Sequence, residues 1–174
     1  FTQITVTRFM LHAMELESLA VRLLLEELRL PYLVDPSCGS ATFLIEAMKV
    51  ITDAVKRRRR ADLHTNRSVA DRFDELLMPD HREHKWAREY LYGIEHNFDL
   101  ATASKVNMIL HGDGSSNIFQ KDGLKPFRFY DKPSGPNILN IAHPKPEYAD
   151  KEANEQFDAI ATNPPFSVSL DDET

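Results

Sequence analysis

Three acidic residues and one amide stand where strands should end, and that placement suits the binding of a nucleotide-like ligand. Asp35 closes the short apolar run Tyr32-Leu33-Val34, and Pro36 then forbids a further ladder hydrogen bond. Ser37, Cys38, Gly39 and Ser40 make a turn of small residues ahead of a helical pattern. Such a turn lets backbone approach a ligand closely, and the helix N-terminus behind it favours a negative group. Taken alone it is equally an ordinary connection in an α/β domain. Glu95 ends a second strand-like run, 89–95, where an acid in nucleotide-binding α/β folds accepts hydrogen bonds from ribose hydroxyls. A third run covers 117–120 and is followed by Asp122. Ligand groups in open α/β sheets lie beyond the carboxyl ends of strands, so Asp122 is favoured over Asp113, which precedes that strand. A fourth run, 157–162, leads into Asn163-Pro164-Pro165-Phe166. Its two prolines fix the backbone and stop the ladder. Asn-Pro-Pro-aromatic arises by chance in a chain of this length on the order of once in several hundred.

Other chemistries are not supported. The turn has one glycine, Gly39, and lacks the three-glycine dinucleotide fingerprint. His81 and His84 have no cysteine or further histidine at ligand spacing, so they read as surface residues and no metal is expected. The single cysteine, Cys38, excludes an internal disulfide and fits a reducing, cytoplasmic setting. With 174 residues, 42% hydrophobic and 28% charged, the chain can form one domain with a real core. No apolar run approaches a membrane span, and no signal peptide is evident. The chain begins at Phe1, so upstream residues are expected. A net charge of −6 is wrong for a protein that grips nucleic acid with its whole surface.

Several elements must position these residues. A helix is expected from near Thr5, with Val6, Phe9, Met10, Ala13 and Met14 on its inner face. A second covers roughly 17–29, with Leu19, Ala20, Leu23, Leu24 and Leu28 inward. After the turn, Phe43, Leu44, Ala47, Met48, Ile51, Ala54 and Val55 recur at helical spacing. That helix ends in Lys56 and Arg57–60, which suits a helix C-terminus in solvent; a phosphate contact is the sharper alternative. Residues 66–77 repeat the pattern through Val69, Phe73, Leu76 and Leu77 until Pro79 stops it. Asn97 or Asp99 can cap a helix through Leu100, Ala103, Val106, Asn107 and Leu110. Residues 126–146 are proline-rich and read as a long surface loop, a flap over the site in one reading. Right-handed crossovers give the strand order 3-2-1-4, with the ligand crevice between strands one and four.

Asp-Pro-x-Cys-Gly-Ser before a helix, together with Asn-Pro-Pro-Phe after a strand, resembles the amino-methylating DNA methyltransferases that use S-adenosylmethionine. The closest resemblance is to the modification subunit of type I restriction systems and its single-chain relatives. It implies a Rossmann-like α/β fold, a mostly parallel sheet flanked by helices. Residues 1–30 would be N-terminal helices leading into the catalytic domain. Residues 31–174 would be its N-terminal half, without the C-terminal strands and the target-recognition domain. The family pattern Asp-Pro-Ala-Cys-Gly-Ser-Gly-Gly-Phe-Leu is kept at Asp35, Pro36, Cys38, Gly39, Ser40, Phe43 and Leu44. Ala41 and Thr42 replace two glycines, adding methyl groups beside the cofactor pocket. The resemblance places Asp35, Ser37, Cys38, Gly39 and Ser40 around the amino-acid moiety of the cofactor and Glu95 on its ribose. His96 and Asp122 would meet its adenine. Thr2, in a Phe-Thr start where Gln3 replaces the usual proline, would lie at the methionine end.

The implied chemistry is methyl transfer to the exocyclic amine of a flipped adenine in DNA. That amine is a poor nucleophile, and the Asn163 oxygen with the Pro164 carbonyl would hold both its hydrogens. Such bonds strengthen as positive charge develops on nitrogen. Pro165 fixes the loop, and Phe166 offers a stacking face for the flipped ring. The scheme needs no metal, general base or cysteine nucleophile. The expected partners are a specificity subunit or target-recognition domain and, in some systems, a restriction subunit. Competing readings are a cytosine-amine, protein-glutamine or ribosomal-RNA methyltransferase, or a non-catalytic subunit with a relic cofactor fold.

Overall fold

A computed structural model describes residues 2–62, 66–77, 84–112, 117–124 and 157–165. Pro79, His81, Asp113, Phe166 and the 126–146 stretch lie outside the described residues.

Four short strands, β1 (Leu33–Asp35), β2 (Leu91–Glu95), β3 (Asn117–Gln120) and β4 (Ala159–Ile160), form one sheet in the order β3-β2-β1-β4. Every pairing is parallel, as expected, with Asp35 opposite Gly93, Glu95 opposite Gln120, and Val34 opposite Ile160. All four carboxyl ends therefore point the same way. β1 is buried at each position because it is paired on both sides. Side chains alternate across the pleat. Leu33 and Leu91 join the main core, while Val34, Tyr92 and Ile94 form a second cluster with Tyr32, Phe119 and Phe157 on the other face. The fold is thus Rossmann-like α/β.

The helices are α1 (Ile4–Ala13), α2 (Leu16–Glu27), α3 (Thr42–Asp62), α4 (Arg67–Leu77), α5 (Ala87–Tyr90) and α6 (Phe98–Leu110). All of them contribute to the main core, centred on α3. The inner stripe expected of α3, from Phe43 to Val55, is buried throughout. Asn66 begins α4 by accepting from the Ser68 and Val69 amides at 3.1 and 3.4 Å.

One helix turns a different face inward from the one expected, and in another polar contacts choose the face. On α1, Val6, Phe9 and Met10 are exposed, and Thr7 and Leu11 are buried instead. A buried charge sets this rotation. Glu46 on α3 is 2% exposed and takes Arg8 at 2.5 Å and Lys49 at 2.7 Å. Leaving that carboxylate unpaired would cost several kcal/mol, on the order of more than an apolar side chain gains by burial. On α6 the buried residues are Ala101, Ser104 and Met108, whereas Leu100, Val106 and Leu110 are exposed. Here polar contacts to the Gly39 turn decide the face. Leu28, expected inward, is 38% exposed and caps α2 in a left-handed conformation.

Smaller differences have local causes. Residues 89 and 90, expected in the second strand, end a helical turn, because Trp86, Ala87 and Tyr90 pack inward at helical spacing. Tyr90 lies 4.8 Å from the Tyr32 ring. His84, expected at the surface, is half-buried, with Nδ1 3.1 Å from the Thr52 hydroxyl. Burial lowers its pKa. Arg57 and Arg59 are paired with Glu17 at 2.9 Å and Asp74 at 2.6 Å. Arg57 is mostly exposed, whereas Arg59 is sheltered over the Phe73 ring, so the expected solvated helix end describes only the first.

Candidate functional site

The turn between β1 and α3 is fixed from three sides. Gly39 takes a left-handed φ of 52°, and Ala41 does the same at 64°. The first suits glycine; the second costs an alanine about 1 kcal/mol. Ala41 stands where the resembled family has glycine, but its methyl is fully buried in the main core. The methyl therefore does not narrow the space above the turn. The Thr42 hydroxyl instead pairs with that of Ser40 at 2.9 Å.

From β2, the Ile94 carbonyl accepts from the Cys38 amide at 2.9 Å. Glu95 then bridges two backbone amides, Gly39 at 2.9 Å and Asn97 at 2.8 Å. Gly93 makes this close approach possible. A Cβ there would come within 2.6 Å of Ile118 and 2.9 Å of both Cys38 and Leu44. From α6, the Ser104 hydroxyl donates to the Gly39 carbonyl, and Asn107 donates to the Ser40 carbonyl at 3.0 Å. The sequence reading gave Ser104 and Asn107 no part in the site; their one signal is a polar pair three residues apart, on one face of the helix.

The acids gather at this end of the sheet. Asp35 is buried, and its Oδ1 accepts from the Ser37 amide at 3.0 Å. Burial pushes its pKa up to about 6, with the Glu95 charge adding to the effect; bonds from Thr162 and Ser37 oppose it. Burial, then Asp35 and Glu95, push the Cys38 thiol up to about 12. A thiol so held is neutral at physiological pH. Asp122 lies just past β3, half-buried, with Oδ1 accepting from the Leu124 amide at 2.9 Å. Its neighbour Gly123 packs on the first turn so tightly that a Cβ would sit 2.1 Å from the Pro36 carbonyl. The loops after β1 and β3 therefore touch. His96 is exposed, and its carbonyl accepts from Gln120 at 3.0 Å.

The Asn-Pro-Pro stretch joins the same end. The hydroxyls of Ser37 and Thr162 are 2.6 Å apart, tying the turn to the residue before Asn163. Asn163 donates from Nδ2 to the Thr2 hydroxyl at 2.9 Å, across 161 residues of sequence. Thr2 is thus brought to the end of β4, while Pro164 and Pro165 follow in an exposed segment.

Above Gly39 nothing lies within 4 Å of where a Cβ would be, so its backbone face is open to a ligand. An apolar cavity of about 260 Å³ lies elsewhere, between α2, α3 and α4, lined by Leu24, Val55, Val69 and Phe73. It shares no residue with the strand ends, where carboxylates, backbone amides and hydroxyls converge. The chemistry belongs to the latter.

Comparison with known proteins agrees with this arrangement. The chain is similar to the type II restriction enzyme and methyltransferase RM.BcgI of Heyndrickxia coagulans, at 28% identity over 144 residues. That alignment covers 82% of this chain and only 16% of the relative, so the chain spans a small part of that protein's length. A family model for N-6 DNA methylases matches residues 10–174, from α1 through the Cys-Gly-Ser turn and both acidic strand ends to beyond Asn-Pro-Pro. The chain belongs to the N-6 DNA methylase family.

Proposed function

We propose that this chain transfers a methyl group from S-adenosylmethionine to the exocyclic amine of adenine in DNA, within a restriction-modification system. The observation that carries the reading is the meeting of three features at one sheet end: the open Gly39 turn, the Asp35 and Glu95 carboxylates, and Asn163. These residues fit the cofactor. Asp35 would take its ammonium, with Ser37, Cys38, Gly39 and Ser40 supplying turn backbone around the amino-acid end. Glu95 would accept from the ribose hydroxyls, and His96 and Asp122 would border the adenine.

When bound, S-adenosylmethionine supplies a methyl carbon whose bond to the sulfonium breaks, with its electron pair, as the amine nitrogen takes the carbon. The chain's own contribution is placement and electrostatics. The Asn163 oxygen and the Pro164 carbonyl would accept the two amine hydrogens, holding the nitrogen lone pair toward the reacting carbon. Both bonds strengthen as nitrogen becomes positive, so they favour the transition state over the ground state. Pro164 and Pro165 restrict the backbone that carries these acceptors. Phe166 would stack on the flipped base. DNA grip falls to partner or additional surfaces, because the net charge is −6 and Arg57 and Arg59 are paired within the chain.

Glu95→Ala should weaken cofactor binding by about 1.5–3 kcal/mol, the worth of charge-assisted hydrogen bonds. Isothermal titration of the intact enzyme with S-adenosylmethionine measures this, and unchanged affinity would remove Glu95 from the site. Asp122→Ala should likewise hurt more than Asp113→Ala.

A further inference from the structure

The hydrogen bond between Thr2 and Asn163 joins residues 161 positions apart in the chain. Thr2 precedes α1, whose N-cap is Gln3; the Gln3 carbonyl accepts from the Thr7 amide at 3.0 Å and the Thr7 hydroxyl at 3.2 Å. Asn163 sits at the proposed amine site. An asparagine amide has two faces of nearly equal shape, one oxygen and one NH2. Its last torsion is broad and roughly two-fold, so the side chain does not choose between them by itself. The following proline restricts the Asn163 backbone but leaves that torsion free.

For an amine substrate the two orientations are opposite in effect. With the oxygen forward, Asn163 accepts an amine hydrogen. With the NH2 forward, it meets the amine donor to donor, and the acceptor pair with Pro164 is lost. We infer that Thr2 is a positioning residue: its hydroxyl, 2.9 Å from Nδ2, tethers the Asn163 side chain where its oxygen can meet the substrate amine. The inference rests on the proposed amine-methylating role of Asn163.

The anchoring runs back into the core. α1 is fixed on α3 by buried Thr7 and Leu11 and by the Arg8–Glu46 pair. The position of the Thr2 hydroxyl is thus set by α3, the same helix that begins at the Gly39 turn. One rigid element then references both the turn and the amide that orients the substrate.

The test is steady-state methylation by the intact enzyme carrying Thr2→Val, Thr2→Ser or Asn163→Ala. Thr2→Val should lower kcat about tenfold to a hundredfold, the scale of a small misplacement in a reacting site. The dissociation constant for S-adenosylmethionine should stay within twofold, and Thr2→Ser should restore most of the rate. A normal rate in Thr2→Val would overturn the inference. So would a loss confined to cofactor affinity, which would make Thr2 a cofactor contact. Failure of the underlying reading looks different: Asn163→Ala itself would then methylate normally.

Discussion

Asp35 carries the most informative charge in the chain. Its carboxyl is shut from water behind the turn and titrates near 6, against 3.8 for an ordinary aspartate. Between about pH 4 and 6 the folded site therefore holds a proton that the unfolded chain has released. This group favours folding as pH falls from about 6 toward 4, and above 6 it costs on the order of 2–3 kcal/mol. A ligand ammonium placed beside it reverses the preference, because an opposite charge favours the ionised form. Affinity for S-adenosylmethionine should then be level between about pH 6.5 and 7.5 and fall about tenfold per unit below pH 6. Calorimetry between pH 5 and 7.5 on the intact enzyme would show it. A flat profile would mean that Asp35 is not the ammonium partner. The position of this acid was legible in the sequence, because a proline stopped the strand right after it. Its proton was not, since that depends on burial and on Thr162, a residue 127 positions downstream in the chain (162 − 35).

β4 shows what holds a short edge element in place among the described residues. Only Ala159 and Ile160 pair with β1, too little ladder to fix the segment that follows. Asp158, just before it, compensates. It takes a two-pronged bond from Arg29 at 2.6 and 3.0 Å, and its Oδ2 also accepts from the Tyr32 amide at 2.8 Å. The bond to Asp158 raises the Arg29 pKa, despite some burial, with Glu27 adding to it. Both side chains are mostly sheltered, at 26% and 20% exposure, so the pair is worth more than a surface ion pair. Asp158→Ala should destabilise the fold by about 1.5–3 kcal/mol and loosen Asn163, with thermal denaturation and methylation rate as the readouts. A variant of wild-type stability and rate would show the clamp to be idle. Element faces were only partly legible. The stripe of α3 is wide, apolar and buried, and the spacing found it. α1 and α6 mix apolar and polar residues around their circumference, and polar anchors picked their inner faces: Arg8 on Glu46, and Ser104 with Asn107 on the turn. Hydrophobic spacing alone carries no record of such long-range polar pairs.

At the scale of the molecule, strand order does the assembling. Parallel pairing in the order β3-β2-β1-β4 aims every carboxyl end at one side and collects Asp35, Glu95, Asp122 and Asn163 there from four separate stretches of sequence. That order followed from crossover handedness and was legible once the strands were found. The Thr2–Asn163 and Ser37–Thr162 bonds were not, because no local pattern links such distant residues. The central claim is transfer to the adenine amine, and it is tested most directly by analysing the nucleosides of DNA methylated by the intact enzyme. With S-adenosylmethionine as donor, the label should appear in N6-methyladenine, and Asn163→Ala should lower its formation about a hundredfold or more at unchanged cofactor affinity, by analogy with losing one oxyanion-hole donor. Label in methylated cytosine, or undiminished N6-methyladenine from Asn163→Ala, would contradict the account.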